Sequence, residues 1–459
     1  MKVRRNHVAI NVSMTRKFLL CALAVALWPA LAMAQTPQQT MSSWFTATAH
    51  QDTIKPGTVI NMSNWRQYQQ YMPPGMIDLF EGKYFWKMPA DVEMPVGPTV
   101  VYPLPKAYVA ASEQYGSQTR VVHQSDGHMN VAGYVAGQPF PNPQEPDRGY
   151  KVLANIWFTY APHLLSLSPT SGLARFCTVD RFDNQACTET AVVYRQLAYN
   201  TDPGVPRTEP QAAGSWYTEW LMVEAPEQSR YTADLTIFWQ DLNRMEDNYV
   251  FVPALRRTLR LAVSARCAPL FGSDMTHDDQ RGGYNGGLSL FNAKFLGQRK
   301  ILALTDLTNA DGQFPAQYDM PLGWSKPSWG PWSLRPVDVI DAVRVPTERA
   351  GYCYGARIMY VDTHFWHQVW EELYDANMKL WKIVSIHAQP NKVPQIGMVG
   401  YSGSIIEQYW DLQNDHASHV LTANRDGKSD GLRANENVPH EYNNIARYST
   451  PGGLMQIMR

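Results

Sequence analysis

The feature that most constrains the fold of this chain is a series of strand-length segments in its second half, separated by short turns. In residues 231–240 apolar and polar side chains alternate, broken only by Phe238, and the alternation returns after the turn at 243–248. A period of two places successive side chains on opposite faces of a strand, so these segments predict a β-hairpin with one apolar face. A succession of such hairpins folds into a curved antiparallel sheet.

Four later segments continue the pattern, at 337–345, 354–362, 366–374 and 378–387. In the second of them Ile358 and Tyr360 share an apolar face and Arg357 points away from it, as in a strand with one covered face. In the last of them both faces are apolar, because Val384 lies opposite Ile383. We therefore expect that strand to be covered on both sides.

The first half is mixed and contains short segments with helical spacing, at 64–71, 76–81, 105–115 and 149–160. The sequence shows neither an internal repeat nor a low-complexity linker, so we expect one α+β domain, mainly β, over residues 35–459. Within it, a helix-containing part is expected at about 35–190 and a β-meander at about 191–425.

Residues 1–34 have the pattern of a secretory signal peptide. The charged side chains there are all basic, the apolar stretch 18–31 follows them, and Ala32-Met33-Ala34 matches an A-x-A cleavage site. The apolar stretch is shorter than the ~20 residues that a membrane-spanning helix needs. We therefore expect export to the periplasm, with Met1 or Met14 as the start of translation.

The formal net charge is −1 at pH 7, and the part that follows the basic amino end is mildly acidic. This balance argues against nucleic acid, or an anionic membrane face, as the principal partner.

Four cysteines lie in the exported part: Cys177, Cys187, Cys267 and Cys353. An even number in an oxidising compartment predicts two disulfides, and the sequence allows three pairings. A bond between Cys177 and Cys187 would close a short loop, and the other two cysteines would then join early and late parts of the meander. The spacings do not suit a zinc site, since no C-x-x-C is present.

Several segments together resemble a known family. They are Asp126-Gly127, the segment Tyr-Val-Ala-Gly-Gln-Pro-Phe-Pro at 134–141, the Val-Pro-Ala-Leu-Arg-Arg core of 249–259, Asp278-Asp279, and 360–381. In order and spacing they are similar to the bacterial envelope proteins grouped as domain of unknown function 1329, over nearly all of the exported part.

The resemblance implies a fold similar to that of the periplasmic carriers that sort lipoproteins to the outer membrane. Such a fold is an incomplete antiparallel barrel with helices plugging the concave side. It implies a lipid or another hydrophobic small molecule as ligand, and a transporter of the resistance-nodulation-division type or an outer-membrane protein as partner. It supplies no catalytic residues, and no cofactor or metal is implied.

On this basis six apolar residues are candidates for lining the ligand site: Leu235, Ile237, Trp239, Leu259, Leu261 and Ile358. The competing interpretation is ordinary core, because an alternating strand far more often buries its apolar face against protein. A lipid chain gains ~0.8 kcal/mol per buried methylene, so an apolar half-barrel needs few polar contacts to bind one.

Two charged pairs are candidates for the rim of this site: Arg256 and Arg257, and Asp278 and Asp279. The two arginines form a basic cluster with Arg260. We expect the cluster to pair with cross-strand acids such as Asp234, and the functional alternative is contact with an anionic head group or an acidic partner.

Residues 271–287 are rich in glycine and aspartate, and they predict a mobile, solvated loop whose acids pair with Arg281. His277, Asp278 and Asp279 are the best cluster for acid–base chemistry, so an envelope hydrolase is an alternative to the carrier if these side chains converge. A third hypothesis is a scaffold subunit of a transporter complex, which predicts a filled core and an exposed apolar patch. We expect a carrier and not an enzyme.

Overall fold

The computed structural model describes residues 36–49, 53–262, 266–308, 314–400, 405–424 and 431–458. The expected signal peptide, 1–34, lies outside these residues. Residues Thr36–Arg459 form one compact unit. Among the described helices, none has the length and apolar character needed to cross a membrane.

The helices of the described ranges are short, and in chain order they are α1 (Pro37–Ala47), α2 (Pro74–Glu81), α3 (Lys106–Tyr115), α4 (Arg148–Trp157), α5 (Gln280–Gly283), α6 (Ile445–Tyr448) and α7 (Pro451–Leu454). A capping box begins α1, where the Thr36 hydroxyl accepts from the Gln39 backbone and the Gln39 side chain accepts from the Thr36 N–H. Gly82, in the left-handed conformation, ends α2. The helical spacing at 76–81, 105–115 and 149–160 corresponds to α2, α3 and α4, whereas 64–71 forms two 3-10 turns.

Fifteen strands of the described chain form the main sheet: β5 (Leu164–Leu167), β6 (Gly172–Asp180), β7 (Gln185–Gln196), β8 (Ser215–Ala225), β9 (Ala233–Trp239), β10 (Asp247–Val252), β11 (Arg257–Arg260), β12 (Phe291–Ala303), β15 (Ser333–Arg344), β16 (Ala356–Asp362), β17 (His367–Tyr374), β18 (Leu380–Ala388), β21 (Ile405–Asp411), β22 (His416–Asn424) and β23 (Arg433–Ala434). Eight short strands pair two by two outside it: β1 (Val59–Asn61) with β2 (Glu93–Pro95), β3 (Arg120–His123) with β4 (Met129–Ala132), β13 (Tyr318–Asp319) with β14 (Trp324–Ser325), and β19 (Asn391–Val393) with β20 (Gly397–Val399).

The main sheet is antiparallel and open. Its order is β11-β10-β9-β8-β7-β6-β22-β21-β18-β17-β16-β15-β12, with β5 and β23 attached beside β7. The two end strands, β11 and β12, do not pair with each other, so the sheet is not closed into a barrel. The four later strand segments expected from the sequence correspond to β15, β16, β17 and β18, which confirms a mainly β fold built on one large antiparallel sheet.

Both faces of the sheet are covered. On face 1, Ile358 and Tyr360 of β16 pack into a core with Trp44 of α1 and Met76 of α2. At the other end of the same face, α6 and α7 cover β8 to β10 through a cluster that contains Leu235. On face 2, α4 packs against β12 and β15. Strand β18 is covered on both sides, as its two apolar faces predict.

Two disulfides join cysteines of the described ranges. Cys177 bonds Cys187 across the neighbouring strands β6 and β7, and Cys267 bonds Cys353, which lies just before β16. Of the three pairings that the sequence allows, the structure contains the local bond together with the long-range one.

Candidate functional site

The opening of the sheet lies between its end strands, and one stretch of chain connects them. Residues 266–290, here called the closing segment, lead from β11 to β12. Helix α5 within it contacts β17, β18 and β21 in the middle of the sheet. The closing segment therefore lies on face 2.

The closing segment is packed in the interior, so the expectation of a solvated loop is wrong. Asp278 and Asp279 are wholly buried, and neither pairs with Arg281. Arg281 instead lies over the rings of Trp157 and Trp216, with its guanidinium carbon 5.2 and 5.1 Å from the ring centres. The acids are neutralised by Arg266 of the same segment and by Arg357 of β16, which is why they can leave solvent.

Two buried arginines hold the closing segment. Arg266 pairs with Glu246 and Asp278, and it donates to the Asn285 carbonyl at 2.9 Å. This guanidinium joins the β9–β10 turn to two parts of the closing segment. Each of its contacts is a charge-assisted hydrogen bond, the strong kind in a buried setting.

The second buried arginine is Arg357 of β16. It donates to Asp279 and to Glu371, at 2.8 Å in each case. The Tyr354 hydroxyl donates to the same aspartate at 2.8 Å. The closing segment is thus tied to the sheet by ionic contacts in the protein interior.

Burial also perturbs the carboxyl groups of face 2. Desolvation raises the pKa of Glu371 to about 7, although Arg357 opposes the shift. Desolvation raises the pKa values of Glu407 and Glu219 to about 8. These groups remain partly protonated near neutral pH, because a buried carboxylate without full compensation is unfavourable.

A cleft of about 580 Å³ opens where the β9–β10 turn and the end of the closing segment meet the β3–β4 hairpin. Its walls come from the β3–β4 hairpin, the β9–β10 turn, the end of the closing segment and the β15–β16 turn, and they are lined by Gln124, Asp126, His128, Asn243, Met245, Ser289, Leu290 and Glu348. The mouth is therefore mainly polar.

Two smaller cavities of about 20 Å³ each, here called the inner cavities, share lining residues with this cleft or with each other. The first is mainly apolar, shares Met245, Ser289 and Leu290 with the cleft, and is lined also by Trp157, Phe238, Trp239, Leu242, Arg244, Glu246, Gly287 and Leu288. The second shares Phe238 and Glu246 with the first and adds polar groups, being lined by Thr236, Asn248, Leu261, Ala262, Arg266, His277 and Asn285. The first inner cavity thus has one wall in common with the cleft, at Met245 and Leu290, and another in common with the second inner cavity, at Phe238.

The six lining candidates do not surround one space. Leu235 and Ile237 are buried on face 1 with the C-terminal helices, and Ile358 is buried on that face under the N-terminal helices. Leu259 is 41% exposed on the end strand. The other two, Trp239 and Leu261, lie one in each of the inner cavities.

The rim candidates also separate. Arg256 and Arg257 are exposed at the tip of the β10–β11 hairpin. Asp278 and Asp279 lie in the interior and not at a rim, because Arg266 and Arg357 hold them there. Within the basic cluster, Arg260 forms an ion pair with a cross-strand acid, Asp247. Asp234 does not pair with the cluster; its Oδ2 lies 3.9 Å from Nε2 of His277.

The three side chains of the hydrolase hypothesis point to different partners. His277 faces Asp234, Asp278 faces Arg266, and Asp279 faces Arg357. They do not converge on one position as that hypothesis requires. No group of three or more potential metal ligands occurs among the described residues.

Sequence reasoning missed most of the cavity wall, and one signal could have found part of it. Phe238 breaks the alternation of its segment by placing an aromatic ring on the polar face of β9. That ring lines both inner cavities. Trp157 and Leu288 come from distant elements, so no local pattern joins them to it.

Comparison with known proteins establishes the family. A family model described as "Protein of unknown function (DUF1329)" matches residues 59–450. The chain belongs to the DUF1329 family. This result confirms the resemblance inferred from the segments at 134–141 and 249–259. No curated protein matches the chain in sequence.

Solved structures similar to this DUF1329 chain include three bacterial proteins. A DUF1329 family protein from Desulfovibrio piger is 11% identical, with 66% of this chain and 100% of that chain covered and a TM-score of 0.44. A putative outer membrane lipoprotein-sorting protein domain from Vibrio parahaemolyticus is 12% identical, with 64% of this chain and 96% of that chain covered and a TM-score of 0.43. A LolA superfamily protein from Nitrosomonas europaea is 14% identical, with 60% of this chain and 90% of that chain covered and a TM-score of 0.31.

Proposed function

We propose that this protein binds a lipid-like hydrophobic molecule in this cleft and carries it through the periplasm. The observation that carries the proposal is the wall that the cleft shares with the aromatic inner cavity, which Met245 and Leu290 both line. The cleft, about 580 Å³, lies within the usual range of small-molecule sites, ~300–1,000 Å³.

The wall behind the cleft favours an apolar ligand. Trp157, Phe238, Leu242 and Leu288 present aromatic and aliphatic surface there. An alkyl chain that leaves water for such a wall gains ~0.8 kcal/mol per methylene. A chain of lipid length therefore binds without a dense set of polar contacts.

The ligand has to widen the inner cavities, which have room for about one water molecule each. The Met245 side chain can move aside, because it is only half-buried and its unbranched chain adopts several rotamers. We propose that its displacement joins the cleft to the aromatic cavity.

The first test is native mass spectrometry, with organic extraction, of the protein purified from its own periplasm. A stoichiometric hydrophobic molecule is the expected result. Met245→Glu, which places a charge on the shared wall, is expected to weaken uptake of a fluorescent fatty acid by about tenfold or more. Met398→Glu is the matched control, because Met398 is 45% exposed on β20.

Protein that carries no ligand and takes up neither a fluorescent fatty acid nor a sterol would contradict the carrier proposal. It would favour the scaffold hypothesis instead. Equal effects of the two methionine variants would place the ligand elsewhere.

The proposal includes a partner that exchanges the ligand, either a transporter of the resistance-nodulation-division type or an outer-membrane protein. A photo-crosslinking residue at Glu348, exposed at the mouth of the cleft, is expected to capture such a protein in intact cells. The same residue at Glu436, also exposed but outside the cleft, is the control.

A further inference from the structure

We propose that the β10–β11 hairpin docks this protein on an anionic lipid surface. The hairpin consists of β10, the 3-10 turn Pro253–Leu255 with Arg256, and β11, and it forms one end of the main sheet. Within the described chain β11 pairs only with β10. The inference goes beyond ligand transport, because it concerns where the protein sits and not what it binds.

The hairpin exposes apolar side chains at its tip and along its outer strand. Leu255 is 57% exposed and Leu259 is 41% exposed. Arg256 and Arg257 lie between them in the sequence, and both are exposed. Leucine beside arginine is the composition of segments that lie at a membrane interface, with the apolar groups below the head groups and the cations among the phosphates.

The charge of the hairpin tip is uncompensated. Residues 253–260 contain three arginines and no acid. Arg260 pairs with Asp247, which also takes an ion pair from Arg244. Arg256 and Arg257 have no ion-pair partner among the described residues, so their charge is available to an external anion.

The turn geometry does not explain the arginine at its corner. Arg256 has a φ of 49°, the left-handed conformation that glycine or asparagine adopts with less strain. Positive charge on a short end strand protects a sheet from pairing with other chains, and this accounts for Arg257. Edge protection does not account for two exposed leucines beside it.

An anionic lipid surface fits these features better than an added strand from another protein. The outer strand β11 is only four residues long, which gives an incoming strand few backbone hydrogen bonds. A lipid surface requires no register and accepts leucine and arginine side chains together.

The mild acidity of the exported chain argues against an anionic surface as its principal partner, but it does not prevent docking through a local basic tip. Electrostatic attraction to a surface falls off within a Debye length, about 8 Å at physiological salt. The groups that meet the lipid first therefore decide the interaction, and here they are arginines.

The test uses the full exported chain, without added ligand, and its sedimentation with vesicles. We expect binding to vesicles of phosphatidylcholine and phosphatidylglycerol in equal parts, weakening with salt, and little binding to phosphatidylcholine alone. Arg256→Gln with Arg257→Gln is expected to weaken binding by roughly twenty-five-fold, about fivefold per arginine. Leu255→Ser with Leu259→Ser is expected to weaken it by about tenfold.

Phe182→Ser is the matched control, because Phe182 is 76% exposed but lies in a turn between Asp180 and Asp183. It is expected to bind vesicles as the unaltered protein does. Equal binding to neutral and anionic vesicles, or hairpin variants that bind normally, would overturn the proposal. Ligand uptake is measured separately without vesicles, so failure of docking and failure of the carrier function are distinguishable.

Discussion

Arg357, on a central strand of the sheet, and Asp279, in the closing segment, form a fully buried ion pair with 2.8 Å between Nη2 and Oδ1. The same guanidinium donates to Glu371 on the neighbouring strand. One side chain thus fastens the segment that lies across the opening of the sheet to the middle of that sheet. The same segment supplies Asn285 and Leu288 to the walls of the inner cavities.

Arg357→Met is expected to destabilise the protein by about 3–5 kcal/mol, because it leaves two buried carboxyl groups without their cation. Adding Asp279→Asn is expected to recover part of that loss, since one of those charges is then removed. Urea unfolding measures both variants. Arg257→Met, at an exposed site, is the control and should change stability by no more than ~0.5 kcal/mol. Similar losses in Arg357→Met and the control would contradict a central role for the ion pair.

The strands could be predicted because their signal is local. The alternation in 354–362 indicates the position of the strand and the opposite orientations of Ile358 and Arg357, and β16 has both. The closing segment could not be predicted in the same way. Its glycines and aspartates are typical of a solvated loop, and the arginine that brings Asp279 into the interior lies 78 positions further along the chain.

The candidate site depends even more on distant contacts. Trp157, Phe238 and Leu288 come from a helix, a strand and the closing segment, and only the fold brings them together. Apolar strand residues such as Leu235 and Ile358 gave the stronger sequence signal, yet they pack beneath helices on the other face. Alternation identifies a buried face without indicating what buries it.

The two disulfides should differ in their effect on stability. The bond Cys267–Cys353 joins residues 86 positions apart, whereas Cys177–Cys187 joins residues 10 positions apart. A longer loop loses more freedom in the unfolded chain, and the loop-entropy relation gives about 4.6 against about 2.7 kcal/mol. We expect urea unfolding of the paired serine variants to show the larger loss for the long-range bond. The reverse order would mean that strain or residual structure outweighs loop entropy.

Stability is expected to decline on the acid side because of buried histidines. Burial lowers the pKa values of His387 and His419 to about 3, whereas an unfolded chain binds these protons near pH 6.5. The unfolded state therefore holds more protons between pH 6.5 and 3, and stability falls as the pH drops through that range.

Buried glutamates are expected to act in the opposite direction. Their pKa values are raised to about 7 for Glu371 and Glu372 and about 8 for Glu219 and Glu407. The folded state then holds more protons between pH 4.5 and 8, so stability falls as the pH rises through that range. Between pH 4.5 and 6.5 the four glutamates outweigh the two histidines, so urea midpoints measured across pH should show a maximum at about pH 4.5. His387→Gln should reduce the loss of stability as the pH falls below this maximum. An unchanged loss would exclude His387 as its cause.

The attachment of the closing segment can also be tested through its glycines. Gly283 has a φ of 94°, and a Cβ there would lie 2.7 Å from Ile386 Cδ1 and would also overlap the Gln368 amide. That amide is held in place by a 2.6 Å hydrogen bond to the Gly282 carbonyl, so it cannot swing aside without losing a buried contact.

Gly283→Ala is therefore expected to cost about 3 kcal/mol or more in unfolding free energy, from overpacking added to backbone strain. Gly272→Ala is the matched control in the same segment, since its φ is 77° and a Cβ there meets nothing within 4 Å. It should lose only about 1 kcal/mol, the strain of a left-handed alanine. Hydrogen exchange should show the added opening of Gly283→Ala in the closing segment first. Equal losses in the two variants would mean that this segment does not pack tightly against β17 and β18.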